Sequence, residues 1–218
     1  MFKNLFKAIR GDGEAPELPR LLGLRIGATV DIDTIPIRML ADELNFELPD
    51  ATKIIVAQGA VELGEGSVAY RYYAADDTMI QVMTVGGADD AHVEEVTLYV
   101  PHDSFYPSTA AEWKQWTGTG GSLGAPEFRL ADGTRYVRIW FEDTEGWAAP
   151  VEFTETVHGE ADGGDTEDIR QKVMLYGRGI DNDRRAEYLL LSVEDSDGEA
   201  TVELMIGIDL DPATMKVF

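Results

Sequence analysis

The chain contains no cysteine, which rules out disulfides, thiolate nucleophiles and thiolate zinc sites. Histidine is scarce as well: His92, His102 and His158 are scattered without the spacing of a ligand set. No stretch approaches the roughly 20 apolar residues of a membrane-spanning helix. The N-terminus lacks the uninterrupted apolar segment of a secretory signal. Bases are few: 18 Lys and Arg stand against 41 Asp and Glu, for a net charge of −23 over 218 residues. So acidic a surface repels nucleic acid, which is excluded as a partner of the body. The expected location is the cytoplasm, with peripheral contact at the inner membrane as the one extension.

The few bases are not spread evenly. The first ten residues, MFKNLFKAIR, carry Lys3, Lys7 and Arg10 and no acid. The remainder therefore holds 15 bases against 41 acids, a charge of −26. At helical spacing Phe2, Leu5, Phe6 and Ile9 share one face and the three cations lie opposite. A ten-residue helix is about 15 Å long, enough to lie in an interface and too short to span it. Residues 11–20, GDGEAPELPR, read as a flexible tether of roughly 16–19 Å root-mean-square span. Near an anionic leaflet three bases contribute roughly 3 kcal/mol. The segment is thus a docking candidate for a lipid leaflet, a protein partner or the protein's own acidic surface.

Beyond the tether the pattern is that of an α+β domain, mostly an antiparallel β meander. About nine or ten strands, in two packed sheets or one curled sheet, are joined by two or three short helices. IPIRMLADELNF reads as a helix, with Pro36 in its first turn and Ile37, Leu40, Ala41 and Leu44 on one face. PSTAAEWKQWTG reads as another, with Thr109 and Glu112 at capping-box spacing. Hairpins are expected around Gly64-Glu65-Gly66, Asp132-Gly133 and the SDG beginning at Ser196. The division is residues 1–20 as segment and tether and 21–218 as one acidic domain, with subdomains 21–105 and 125–218 as the alternative. Oligomeric state is left open.

Motifs for chemistry are weak. TGTGGSLG lacks the lysine of a phosphate loop. Asp195-Ser196-Asp197-Gly198 fails the calcium-loop register, because Val193 and Leu204 fall where oxygen ligands are required. The acidic loop GEADGGDTED is best read as solvated. No serine has a nucleophile-elbow setting. No metal, cofactor or catalytic residue is expected, and the protein reads as non-enzymatic. The notable feature is a set of arginines among aromatics. Alternation puts Tyr136, Arg138 and Trp140 on one strand face, with Val137, Ile139 and Phe141 on the opposite, core face. Tyr176 with Arg178 repeats the arrangement, and Arg71 lies between Tyr70 and Tyr72. Arg71, Tyr136, Arg138, Trp140, Tyr176 and Arg178 are therefore candidates for binding an anionic ligand through a stacked guanidinium. Alternatively the arginines pair internally with Glu152, Glu155 or Glu187.

The runs RYYAADDTMIQV, EWKQW with LGAPEF, DGTRYVRIWF, PVEFTETV, MLYGR and AEYLLLSV together resemble the YjfK-like family of uncharacterised bacterial proteins. The resemblance covers about residues 50–195 and brings no activity, cofactor or catalytic residue with it. It implies a gene context of phage-shock-type membrane-remodelling proteins, small membrane proteins and ATP-grasp ligases of the glutathionylspermidine type. The expected function is accordingly a non-enzymatic accessory protein that docks at a membrane surface or on a membrane-associated partner. The alternative is a small-molecule binding module or enzyme whose arginine–aromatic sheet face takes an anionic or polyamine-related ligand.

Overall fold

The computed structural model describes residues 18–46, 49–196 and 198–218. The basic segment 1–10 and tether residues 11–17 lie outside them. Among the described residues the chain forms β1 (Thr29–Ile32), α1 (Ile35–Arg38), β2 (Thr52–Gly64), β3 (Ser67–Ala74), β4 (Met79–Val85) and β5 (Val93–Phe105). After these come α2 (Ala110–Thr117), β6 (Glu127–Arg129), β7 (Arg135–Arg138) and β8 (Val151–His158). The chain ends with β9 (Thr166–Ile180), β10 (Arg185–Ser196), β11 (Glu199–Asp209) and β12 (Met215–Val217).

The strands are antiparallel as expected, but they form neither a simple meander nor two packed sheets: the sheet curls until it closes. β2 to β5 make one antiparallel series and β8 to β11 another, and the two series join at both sides. β5 pairs with β11, Leu98 opposite Ile208, and β2 pairs with β8, Gly59 opposite Val157. Eight antiparallel strands thereby close into a barrel, with β1–β12 and β6–β7 as extensions. Long strands make the closure possible, because β2 and β9 each share one edge between two neighbours. β2 meets β1 at residues 52–54 and β8 at 58–60. β9 meets β8 along 166–173 and β7 at 176–177. A twisted sheet of this length coils until its edges meet, which removes the free edges that invite aggregation.

Local chemistry sets the connections. Gly64 pairs with Ser67 across Glu65-Gly66, both at positive φ, the left-handed pair that a two-residue hairpin needs. α2 is capped as its sequence requires: Thr109 Oγ1 accepts from the Glu112 amide, and Glu112 accepts from the Thr109 amide. The expected helix over IPIRMLADELNF is only one turn long. After Arg38 the backbone bonds tighten, with Leu40 bonding to Ile37 and Ala41 to Arg38. The chain then bends so that Glu43 and Asn45 reach β9 and β10.

Three apolar cores follow from strand alternation. Ala57, Tyr73, Met79, Tyr99, Val157 and Val173 fill the barrel interior. Tyr72, Ile80, Val96 and Leu98 face outward, beneath Leu21, Leu24, Ile37, Leu40 and β1. Met174, Tyr176, Leu189, Leu191 and Ile206 face outward on the other side, beneath Leu123, Leu130, Tyr136 and the α2 tryptophans. One expectation about β7 is reversed. Tyr136 and Arg138 are the buried face, whereas Val137 is 46%, Ile139 37% and Phe141 50% exposed. The reason is that β7 lies against β9 with Tyr136 and Arg138 turned onto buried polar partners, which leaves the apolar alternate positions outward.

Candidate functional site

The six arginine–aromatic candidates are distributed over three separate clusters. Arg71 points into the barrel. Its Nη1 donates to Glu155 Oε2 at 2.7 Å and to Gln171 Oε1 at 2.9 Å, and its Nε donates to Gln81 Oε1 at 3.2 Å. Tyr73 donates to the other Glu155 oxygen at 2.8 Å, and Gln171 Nε2 donates to Glu155 at 2.8 Å. The guanidinium also lies 5.4 Å from the Phe153 ring centroid. Glu155 is fully buried and Arg71 nearly so. Burial alone would lower the Arg71 pKa, but the Glu155 carboxylate more than reverses this and holds it above the ordinary arginine value. Burial, followed by the Glu155 charge, pushes the Tyr73 hydroxyl up. β2 makes room with Gly59, where an added Cβ would come within 2.0 Å of Glu155 Oε1.

At the edge of this cluster, Glu194 of β10 stands opposite Gln171. Burial raises its pKa to about 7, the charges of Glu203 and Glu155 push the same way, and Ser192 and Arg71 oppose them. An acid whose folded pKa lies above its unfolded value binds its proton more tightly when folded. Stability therefore falls as pH rises from about 4.5 to about 7, by an amount on the order of 1–3 kcal/mol. Glu194→Gln is expected to flatten the urea midpoint between pH 5 and 7 and to raise it at pH 8. An unchanged pH slope would contradict this.

Tyr136 and Arg178 gather outside the barrel around Glu187, which is fully buried. Tyr136 donates to Glu187 Oε2 at 2.6 Å, Arg178 Nε at 2.6 Å and the Asn45 amide to Oε1 at 2.7 Å. The Arg178 guanidinium sits 5.7 Å from the Tyr136 ring centroid and also donates to the Glu43 carbonyl. Burial, then the bond to Glu187, raises the Tyr136 pKa. This cluster fastens the segment after α1 onto β9 and β10.

Arg138 and Tyr176 organise the connections around β7. Arg138 Nη1 donates to the Gly124 and Gly146 carbonyls, each at 2.7 Å, and Nη2 to those of Phe141 at 3.1 Å and Thr144 at 2.5 Å. Tyr176 donates to the Ser122 carbonyl at 3.1 Å and accepts from the Gly124 amide at 2.9 Å. Trp140 packs where the barrel interior and the outer core meet. Two surface depressions, one beside α2 and one around Arg184 to Ala186, are lined by none of the six candidates. Among the described residues no group of three or more His, Asp or Glu is placed to hold a metal ion. No helix among them is long and apolar enough to cross a membrane.

Gln171, Tyr73 and Glu194 were not singled out from the sequence, and Glu155 was read only as one of three carboxylates that could pair with the arginines. The available signal was a lone polar residue on an otherwise apolar alternate face: Glu155 between Phe153 and Val157, and Gln171 between Ile169 and Val173. Thr154, Thr156 and Arg170, on the opposite face, are exposed.

The structure defines a class: a closed eight-stranded antiparallel barrel whose internal charges are paired by its own side chains. Within that class, the chain belongs to the family described as "Protein of unknown function (DUF2491)", whose model matches residues 1–216. It is similar to "Uncharacterized protein YjfK" of Escherichia coli (strain K12), 27% identical over 220 residues that cover 98% of each chain. The family resemblance read from the motifs is thereby borne out. No solved structure matches.

Proposed function

We propose that the protein is a non-enzymatic accessory protein that docks its acidic barrel reversibly at an anionic membrane surface through the basic amphipathic segment 1–10. The observation that carries this reading is the fate of the arginines. Arg71 and Arg178 are held by Glu155 and Glu187, and Arg138 spends four bonds on main-chain carbonyls. An incoming carboxylate or phosphate would have to displace buried partners, which costs more than such a ligand returns. Of the candidate cations read from the sequence, Lys3, Lys7 and Arg10 are then the ones left for an external anion. The attachment point suits them: the Pro19 carbonyl accepts from Gln58 Nε2 at 2.8 Å and from the Tyr72 hydroxyl at 3.2 Å, so the chain leaves the barrel at a fixed place. The tether then lets the −26 body hang beyond the roughly 8 Å Debye length, where its repulsion from the leaflet is screened. The membrane-linked gene context implied by the family resemblance points the same way.

Flotation with anionic vesicles tests this. At low salt the intact chain is expected to float and a version lacking residues 1–11 to stay at the bottom. Both remaining at the bottom would overturn the reading.

A further inference from the structure

Among the described residues the buried cation Arg138 has no carboxylate partner, and three of its four bonds shape one loop. By gripping the carbonyls of Phe141, Thr144 and Gly146 it holds residues 139–146 in a fixed course. In that course Phe141 adopts φ +60°, a left-handed conformation that a bulky side chain rarely takes, with half of its surface in water. Val137 and Ile139 stand exposed just before it, Ile139 resting over Gly177. Glu142, Asp143 and Glu145, all exposed, follow directly, and none has a cation within ion-pair distance among the described residues. The result is an apolar row with an unneutralised acidic rim.

We propose that this row is the resting dock of the protein's own segment 1–10. The complementarity is of pattern and of charge. Phe2, Leu5, Phe6 and Ile9 would meet Val137, Ile139 and Phe141, while Lys3, Lys7 and Arg10 would meet the acidic rim. The seven residues between the segment and Leu18 span up to about 24 Å when extended, which sets the reach available to it. The segment's apolar face cannot lie on lipid and on the barrel at once, so the dock competes with the membrane. That competition rests on the proposed membrane role, whereas docking on the barrel does not.

The absence of native cysteine makes a direct test clean, because any disulfide formed is between introduced residues. In the full chain, without vesicles, Ala8→Cys is combined with Thr144→Cys or, for comparison, with Ile54→Cys. Ile54 is exposed and lies four residues along β2 from Gln58, about 13 Å from the chain's point of entry. A freely ranging segment would reach position 54 at least as readily as position 144. Docking is expected to make the 8–144 disulfide form at least tenfold faster under mild oxidation. Phe141→Ser in the same pair, or 1 M salt, is expected to erase most of that excess. Equal rates for the two pairs, or an excess that survives Phe141→Ser, would overturn the proposal. Vesicle flotation answers separately whether the segment meets lipid, so either idea can fail alone.

Discussion

Glu155→Ala is expected to destabilise the barrel by about 3–5 kcal/mol, the range seen when one partner of a buried ion pair is removed. The loss is not that of one contact. The carboxylate accepts from Arg71, Tyr73 and Gln171, so its removal strands a buried guanidinium together with two polar side chains. Against a typical total stability of about 5–15 kcal/mol this is a large fraction. For a chain of this size each kcal/mol shifts the melting temperature by about 2–4 °C. A drop on the order of 10 °C is therefore expected in a thermal scan. Replacing both charges, as in Glu155→Leu with Arg71→Met, is expected to recover much of the loss, because well-packed apolar residues replace buried pairs at little cost. A change under about 1 kcal/mol for Glu155→Ala would mean that the pair is solvated and the barrel interior wet.

Glu187→Ala is expected to cost somewhat less, about 2–4 kcal/mol, and to act in a different place. Glu187 is as fully buried as Glu155, but its cationic partner Arg178 is partly exposed and can turn to water. The carboxylate also accepts from Tyr136 and from the Asn45 amide, so its loss releases the segment after α1 from the barrel wall. Hydrogen exchange separates the two variants. Glu187→Ala is expected to raise exchange at Asn45 while amides in the ladder between β3 and β4 stay protected. Glu155→Ala is expected to weaken protection around the whole barrel. Uniform loss of protection in Glu187→Ala would contradict a local fastening role.

These two clusters also mark how far sequence reasoning extended. Connections set by neighbouring residues were legible. The Thr109–Glu112 cap is present as expected, and so is the tight turn at Glu65-Gly66. Alternation placed Tyr136 with Arg138 on one face, but it assigned the core to the wrong side of β7. What it cannot supply is the identity of each strand's distant neighbour. The pairs that close the barrel, β5 with β11 and β2 with β8, join residues about a hundred positions apart. Once the sheet closes, single polar residues on otherwise apolar faces are enclosed, and Arg71, Glu155 and Gln171 become core residues. β7 lies outside that closure, and there Arg138 is buried and Val137 exposed because the strand lies against β9. Internal pairing of the arginines with Glu152, Glu155 or Glu187 was among the readings of the sequence, but which arginine meets which carboxylate was not. The part played by main-chain carbonyls at Arg138 was not, since carbonyl geometry leaves no trace in residue identity.

Arg71, Arg138 and Arg178 are engaged internally, and the proposed membrane docking rests on the opening decamer. The most direct measurement is a partition titration of the full chain against vesicles of rising anionic-lipid content, at low and at physiological salt. Partitioning should be weak, should grow with the anionic fraction, should fall as salt is added, and should vanish when Lys3, Lys7 and Arg10 are replaced by Glu. Partitioning indifferent to lipid charge, or none at all with fully anionic vesicles at low salt, would contradict membrane docking by this segment.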